Sequence, residues 1–343
     1  MQELLGRLGA LDPEASQSLR VVACFDELMA GGVGVRGLMS AAAALAGRPV
    51  GLVRSPGHAA EVVGPDGIAL APVPPGSNRH RADPLTVWIV DEDLPTVNDR
   101  IILERLALAL QLRLNGGTRP ERRDLASLID PETPRSERLE IAVRRGLDAG
   151  LPHRAVATPL FATWRRRPTG LEDVVPTEHG PVQLSIVDAR AEAAADPIGI
   201  SRPADLVGLP AAARSALVCL RLCTAREPAV RADELGGLAE VLADAPADRP
   251  PDQDELALAA LAEQTPWVGE TVEALTRAST AREAARLASV HHSTMNARLD
   301  TMTGALGYHP LDGLGRARFA LSALRWRLRR SEAFVLPPPP AGR

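Results

Sequence analysis

Apolar residues along the first third of the chain recur first at helical spacing and then in short continuous runs. Leu19, Val22, Cys24, Phe25, Leu28 and Met29 predict one helix, GGVG breaks it, and Leu38, Ala41, Ala42 and Leu45 predict a second that stops at Gly47 and Pro49. The runs PVGLV (49–53), AEVV (60–63) and LTVWIV (85–90) predict strands, with a turn over 64–67 and a Pro-, Gly- and Arg-rich loop over 71–84. Apolar positions 101, 102, 106, 108, 110 and 112 predict a long helix over 99–114.

A polar stretch over 115–135 then predicts a linker. Beyond it come a helix over 136–147, strands over 154–161 and 182–188, and a helix over 210–224. DAPADRPPD (244–252) predicts a second linker. From 254 to 330 the period is helical throughout, and the four prolines at 337–340 end it.

Within that helical stretch, STAREAARLASVHHSTMNARLDTMTGALG (279–307) has the pattern of a helix-turn-helix. Thr280 and Glu283 form a capping-box pair, so a short helix should begin at Thr280. Ala284, Ala285 and Ala288 allow a second helix to cross it closely. Ser289, Val290 and His291 predict the turn, with either His291 or His292 opening the next helix. Met295, Leu299, Met302 and Leu306 then make one apolar stripe. That stripe turns His292, Ser293, Asn296, Ala297 and Asp300 outward, the kind of face that reads base edges in a major groove.

Charge sharpens the picture. The formal net charge is −4, so any contact with nucleic acid must be local. Between 267 and 330 ten arginines face five carboxylates, a basic excess expected of a DNA-binding module. All 39 basic residues are arginine, which together with abundant Ala, Gly and Pro reads as the codon bias of a GC-rich genome. Aromatics at 3% disfavour a single-strand surface built on base stacking. Three cysteines, no signal-like N-terminus and no apolar run of membrane-spanning length predict a cytoplasmic chain without a membrane partner.

AREAARLASVHHSTMNARLDTMTGALG followed by GRARFALSALRWRLRR resembles the C-terminal helix-turn-helix of PucR/CdaR-type regulators. The resemblance lies in Ala284–Ala285, Val290–His291, Ser293–Thr294–Met295 and Arg298–Leu299; His292 and Asn296 depart from the family pattern on the reading face. The N-terminal element order resembles a GAF-type sensor. IGISRPADLVGLPAAARSALVCLRL resembles the degenerate cyclase-like domain of such regulators, with no acidic GG[DE]EF-type loop. The resemblance implies an α/β multidomain protein: a GAF-like domain over 1–116, a linker over 117–135, a ferredoxin-like, GGDEF-like domain over 136–243, a linker over 244–253, an all-α helix-turn-helix domain over 254–331 and a Pro-rich tail. It implies double-stranded DNA as partner, with Thr280, Arg282, His291, His292, Ser293, Thr294, Asn296 and Arg298 as the DNA-binding residues. A homodimer would supply a second half-site contact, and an unidentified small-molecule effector is accommodated at the N-terminal domain, which could equally be a dimerisation platform.

Other motifs carry less. Gly32, Gly34 and Gly37 satisfy G-x-G-x-x-G but follow a helix rather than a strand, so they read as a helix break and no dinucleotide cofactor is expected. Cys219 and Cys223 read as buried apolar residues, His291 and His292 as capping or DNA-facing groups, and Arg165–Arg166–Arg167 as a solvated loop; no metal is expected. No G-x-S-x-G, H-E-x-x-H or phosphate-binding loop with lysine occurs, so no enzyme activity is expected. The competing reading is a non-enzymatic scaffold whose helical C-terminus binds protein.

Overall fold

Among the described residues, two larger hydrophobic cores and a smaller one around Val156, Ile198 and Ile200 organise the α/β part of the chain, and another organises the C-terminal helices. The computed structural model describes residues 13–54, 59–90, 96–115, 124–246 and 248–334. The protein is of mixed α/β class and divides into two compact units, 1–235 together with 333–343, and 236–332.

Helices α1 (Pro13–Ala30) and α2 (Val35–Ala46) precede a five-stranded antiparallel sheet of order β3-β2-β1-β5-β4. Its strands are β1 (Val50–Val53), β2 (Glu61–Val63), β3 (Ala69–Leu70), β4 (Arg79–Ala82) and β5 (Leu85–Ile89). Helix α3 (Val97–Asn115) follows. Phe25, Leu28, Leu38, Leu52, Val87, Leu106 and Leu110 form the core between helices and sheet. The order helix–helix–strands–helix is the one the periodicity predicts. The loop predicted over 71–84 in fact contains β4, an edge strand that pairs with β5 while its side chains alternate between exposed and half-buried.

The predicted linker also holds structure. Helix α4 (Asp124–Ile129) buries Leu125 and Leu128 in the second core, and Asp124 takes one guanidinium from each of Arg144 and Arg145 at 2.8 Å. Helix α5 (Arg135–Arg144) follows, and then a sheet of order β12-β11-β6-β9-β8. These strands are β6 (His153–Thr158), β8 (Gly170–Val175), β9 (Val182–Asp188), β11 (Ile198–Ile200) and β12 (Ala229–Arg231). A small ribbon pairs β7 (Thr163–Arg166) with β10 (Ala194–Asp196). Helix α6 (Leu209–Leu222) joins β11 to its parallel neighbour β12. A Cβ at Gly199 would lie 2.2 Å from the Ala216 carbonyl, so glycine is what lets β11 rest on α6.

This connectivity departs from a ferredoxin-like βαββαβ chain. Strand β6 passes to β8 through β7 rather than through a helix, leaving one helical crossover, α6, instead of two. The two α/β parts predicted as separate domains share one compact unit: Leu160 and Val174 enter the first core, and the buried Cys24 thiol donates to the Leu160 carbonyl at 3.1 Å. Cys219 lies fully buried in α6, its thiol pushed up to about 12 chiefly by burial, as an apolar reading requires. The Arg165–Arg167 run is not wholly a loop, although Arg165 and Arg166 are exposed as expected. Arg165 and Arg166 end β7 and pair with Asp196 and Glu192, and Arg167 pairs with Glu27 and Glu172. At the G-x-G-x-x-G segment the Gly34 amide donates to the Asp173 carboxylate at 3.3 Å, so a protein carboxylate occupies the helix start where a phosphate would sit.

The second unit is all-helical: α7 (Ala232–Leu235) closes the first unit, and α8 (Gly237–Ala243) opens the second. It continues with α9 (Gln253–Gln264), α10 (Val268–Arg277), α11 (Ala281–Leu287), α12 (His292–Leu306) and α13 (Gly313–Arg329). No helix among the described residues is long and apolar enough to cross a membrane.

Asp99 is the polar hub of the first part. It is 1% exposed and accepts from the Thr96 amide at 3.0 Å, the Thr96 hydroxyl at 2.5 Å, Asn78 at 2.7 Å and Arg48. Burial raises its pKa, but the donors from Arg48, Thr96 and Asn78 outweigh burial and hold it below the usual carboxylate range. Asp99→Ala should cost roughly 3 kcal/mol of stability in chemical denaturation at neutral pH, since it strands a buried arginine. A lowered folded pKa places the stabilisation above the unfolded value of about 3.9 and removes it as pH falls through the folded value. The gap between wild type and Asp99→Asn should therefore be full at pH 6 and shrink below about pH 4.

Candidate nucleic-acid interface

Helix α11 starts where the capping pattern places it. The Thr280 hydroxyl accepts from the Glu283 amide at 3.2 Å. The reciprocal half is displaced by one residue: the Glu283 carboxylate accepts from the Ser279 amide at 2.7 Å and the Ser279 hydroxyl at 2.8 Å. Those two bonds hold the Glu283 carboxyl below its ordinary range. Ala284, Ala285 and Ala288 are buried and face α12, with no side chain large enough to hold the two backbones apart.

The turn depends on Ser289, which adopts φ +53°, a left-handed conformation that favours glycine. Ser289 lies in the four-residue connection, 288–291, between α11 and α12. His291 then caps α12: its Nδ1 accepts from the Ser293 amide at 3.3 Å and lies 2.8 Å from the Ser293 hydroxyl. At the far end Gly307, φ +76°, stops the helix.

Helix α12 buries Met295, Leu299, Met302 and Leu306, the stripe the sequence predicts. His291, His292, Ser293, Thr294, Asn296 and Ala297 are exposed. Among the described residues the side chains of His292, Thr294 and Asn296 make no hydrogen bond, so their polar groups are available to a partner. Thr280 and Arg282 are also exposed, and Arg286 stands one turn beyond Arg282 on α11.

Arg298 is placed otherwise than the sequence predicts. Its guanidinium donates to the buried Thr271 hydroxyl at 2.9 Å, lies 3.9 Å from Glu270 and covers the Trp267 ring at 5.1 Å. Only 13% of its side chain is exposed. It braces α12 against α10 and is not free to neutralise a phosphate.

The basic excess also reads differently across the whole unit. Residues 236–332 hold eleven arginines against thirteen carboxylates. The first turn of α9 collects several of those arginines. Asp254 takes Arg318 at 2.9 and 3.2 Å, Asp252 takes Arg325 at 3.4 Å, and the buried Glu255 takes Arg249 and, at 2.8 Å, Arg329. A Asp252–Glu255 capping box holds this turn, and a D-x-x-E pattern at 252–255 is its signal in the sequence.

No family model matches the chain, and no curated protein matches it. A solved structure with similarity is a regulator of polyketide synthase expression from Bifidobacterium adolescentis, 15% identical, with the match covering 61% of this chain and 97% of that one at a TM-score of 0.27. At that TM-score the likeness has no weight for fold or function.

Ser289→Gly should stabilise the helical unit by about 0.5–1 kcal/mol, because glycine removes the left-handed penalty, whereas Ser289→Val should destabilise it by at least about 1 kcal/mol. Thermal and denaturant melts of the two variants check this. Arg298→Ala should cost about 2 kcal/mol by losing stacking and leaving the Thr271 hydroxyl unpartnered. A melt unchanged from wild type would contradict the bracing role.

Proposed function

We propose that the chain is a DNA-binding transcriptional regulator that reads a major groove with α12. The supporting observation is the division of that helix: one stripe is buried, and His292, Ser293, Thr294 and Asn296 are all exposed in its first turns. Asn pairs well with adenine, Ser and Thr serve bases or phosphates, and a histidine nitrogen suits a base edge. The free amides at the start of the helix favour a phosphate. Arg282 and Arg286 supply the flanking positive charge, with Thr280 beside them, and Arg298 is left to the fold. The reading assigns no catalytic role to the α/β unit. It pairs two copies of the chain, since a single helix-turn-helix gains affinity and half-site spacing from a partner.

A second reading has one observation in its favour. With thirteen carboxylates to eleven arginines, the helical unit has the charge of an ordinary protein-binding module rather than of a nonspecific DNA-binding one.

Recovery of bound fragments from genomic DNA, followed by titration on the recovered site, separates the two. His292→Ala with Asn296→Ala should weaken binding to that site by tenfold or more while binding to unrelated DNA and the melting temperature stay unchanged. Arg282→Ala and Arg286→Ala should each weaken binding on every sequence and reduce the salt slope by about 1. Recovery of no DNA above background at low salt would leave the protein-binding reading.

A further inference from the structure

In the α/β unit a cavity of about 210 Å³ lies among the C-terminal end of α2, the turn after β2, the segment after β6 and the β8–β9 hairpin. Leu45, Pro65, Pro159 and Phe161 form much of its apolar wall. Phe334, five residues past the end of α13 in sequence, completes it, and its neighbour Ala333 is buried in the second core of the same unit. The space is half open to solvent and exceeds the roughly 150 Å³ that admits benzene, so it has room for a molecule of two fused rings.

One lining side chain is polar. His179 sits in a hairpin turn fixed by paired backbone bonds between Thr177 and Gly180 at 3.0 and 3.1 Å, and by its own amide donating to the Thr177 hydroxyl at 3.1 Å. Its ring lies 6.2 Å from that of Phe334. Its Nε2 is buried and lacks a hydrogen bond, although Glu178 Oε1 lies 3.2 Å away. Burial, and then Arg221, lower its pKa against the opposing pull of Glu178, which favours the neutral ring. A neutral imidazole offers one donor and one acceptor nitrogen. None of the side chains lining the cavity carries a permanent charge.

We propose that this cavity binds a small uncharged aromatic molecule bearing a hydroxyl, with its rings among Phe161, Phe334 and the prolines and its hydroxyl on His179. A hydroxyl both donates and accepts, so it suits either tautomer of the ring. The proposal is independent of DNA binding and is tested separately from it.

The probe is 2-naphthol, titrated calorimetrically into the full-length protein. Saturable binding with a Kd between about 10 μM and 1 mM is expected for a ligand of this size. Naphthalene-2-sulfonate should bind at least tenfold more weakly, because its charge is desolvated against an apolar wall and meets the Glu178 carboxylate beside His179. His179→Leu should weaken 2-naphthol about tenfold. Ala44→Leu, which fills the cavity from α2, should abolish binding, and circular dichroism melts report whether each variant is folded. Absence of saturable binding near the solubility limit of 2-naphthol, or wild-type affinity in folded Ala44→Leu, would overturn the proposal. Should neither variant fold, equal affinity of the wild type for the naphthol and the sulfonate would do the same.

Discussion

The rotation of α12 about its own axis is the constraint from which the candidate interface follows. Met295, Leu299, Met302 and Leu306 are buried on one stripe, and a helix held by four such side chains has one orientation. Ala284, Ala285 and Ala288 on α11 set how closely the two helices approach. Larger residues at these positions would push the helices apart, and a polar residue on the stripe would bury an unpaired group. Arg298 adds a polar brace through Thr271 and Trp267. The residues that fix the helix are therefore distinct from those it presents.

Most of this division is legible in the sequence because it rests on local rules. The i, i+4, i+7, i+11 spacing of the stripe, the alanines of α11 and the Thr280 cap all act within one or two turns. The two small failures at the interface have nonlocal causes. Arg298 falls between the buried and exposed faces, and its fate depends on Thr271 and Glu270, about 27 residues earlier in the chain. The basic excess between 267 and 330 is real in sequence but is partly cancelled by Asp252, Asp254 and Glu255, which lie outside that window and meet Arg318, Arg325 and Arg329 only in the folded unit.

The α/β unit was less legible for a related reason. Its long helices and its continuous apolar strands stand out by period. Strands β4, β7, β8, β10 and β12 do not, because short, partly exposed strands carry few apolar positions, and their existence is decided by pairing with distant partners. The polar segment over 115–135 reads as a linker, yet Leu125 and Leu128 within it are enough to dock a six-residue helix in the second core. The cavity is another product of assembly. Its wall draws on residues from 44 to 334, so no local pattern could reveal it.

The charge of the helical unit bears on how DNA would be engaged. Pairing with arginine screens Asp252, Asp254 and Glu255, and salt limits the reach of the remaining charges to roughly 8–10 Å. The charges that matter to a phosphate at α12 are consequently those beside it: Arg282 and Arg286 in favour, Asp300 against, and Glu283 already engaged by Ser279. Asp300 stands one turn beyond Asn296 on the exposed side. There it repels a backbone phosphate but can accept from the amino group of cytosine. A surface with few free cations and an acidic residue in line with its polar groups gains little from nonspecific attraction. If such a surface binds DNA, its affinity must come more from base contacts than from charge, which makes it a selective reader with weak background binding.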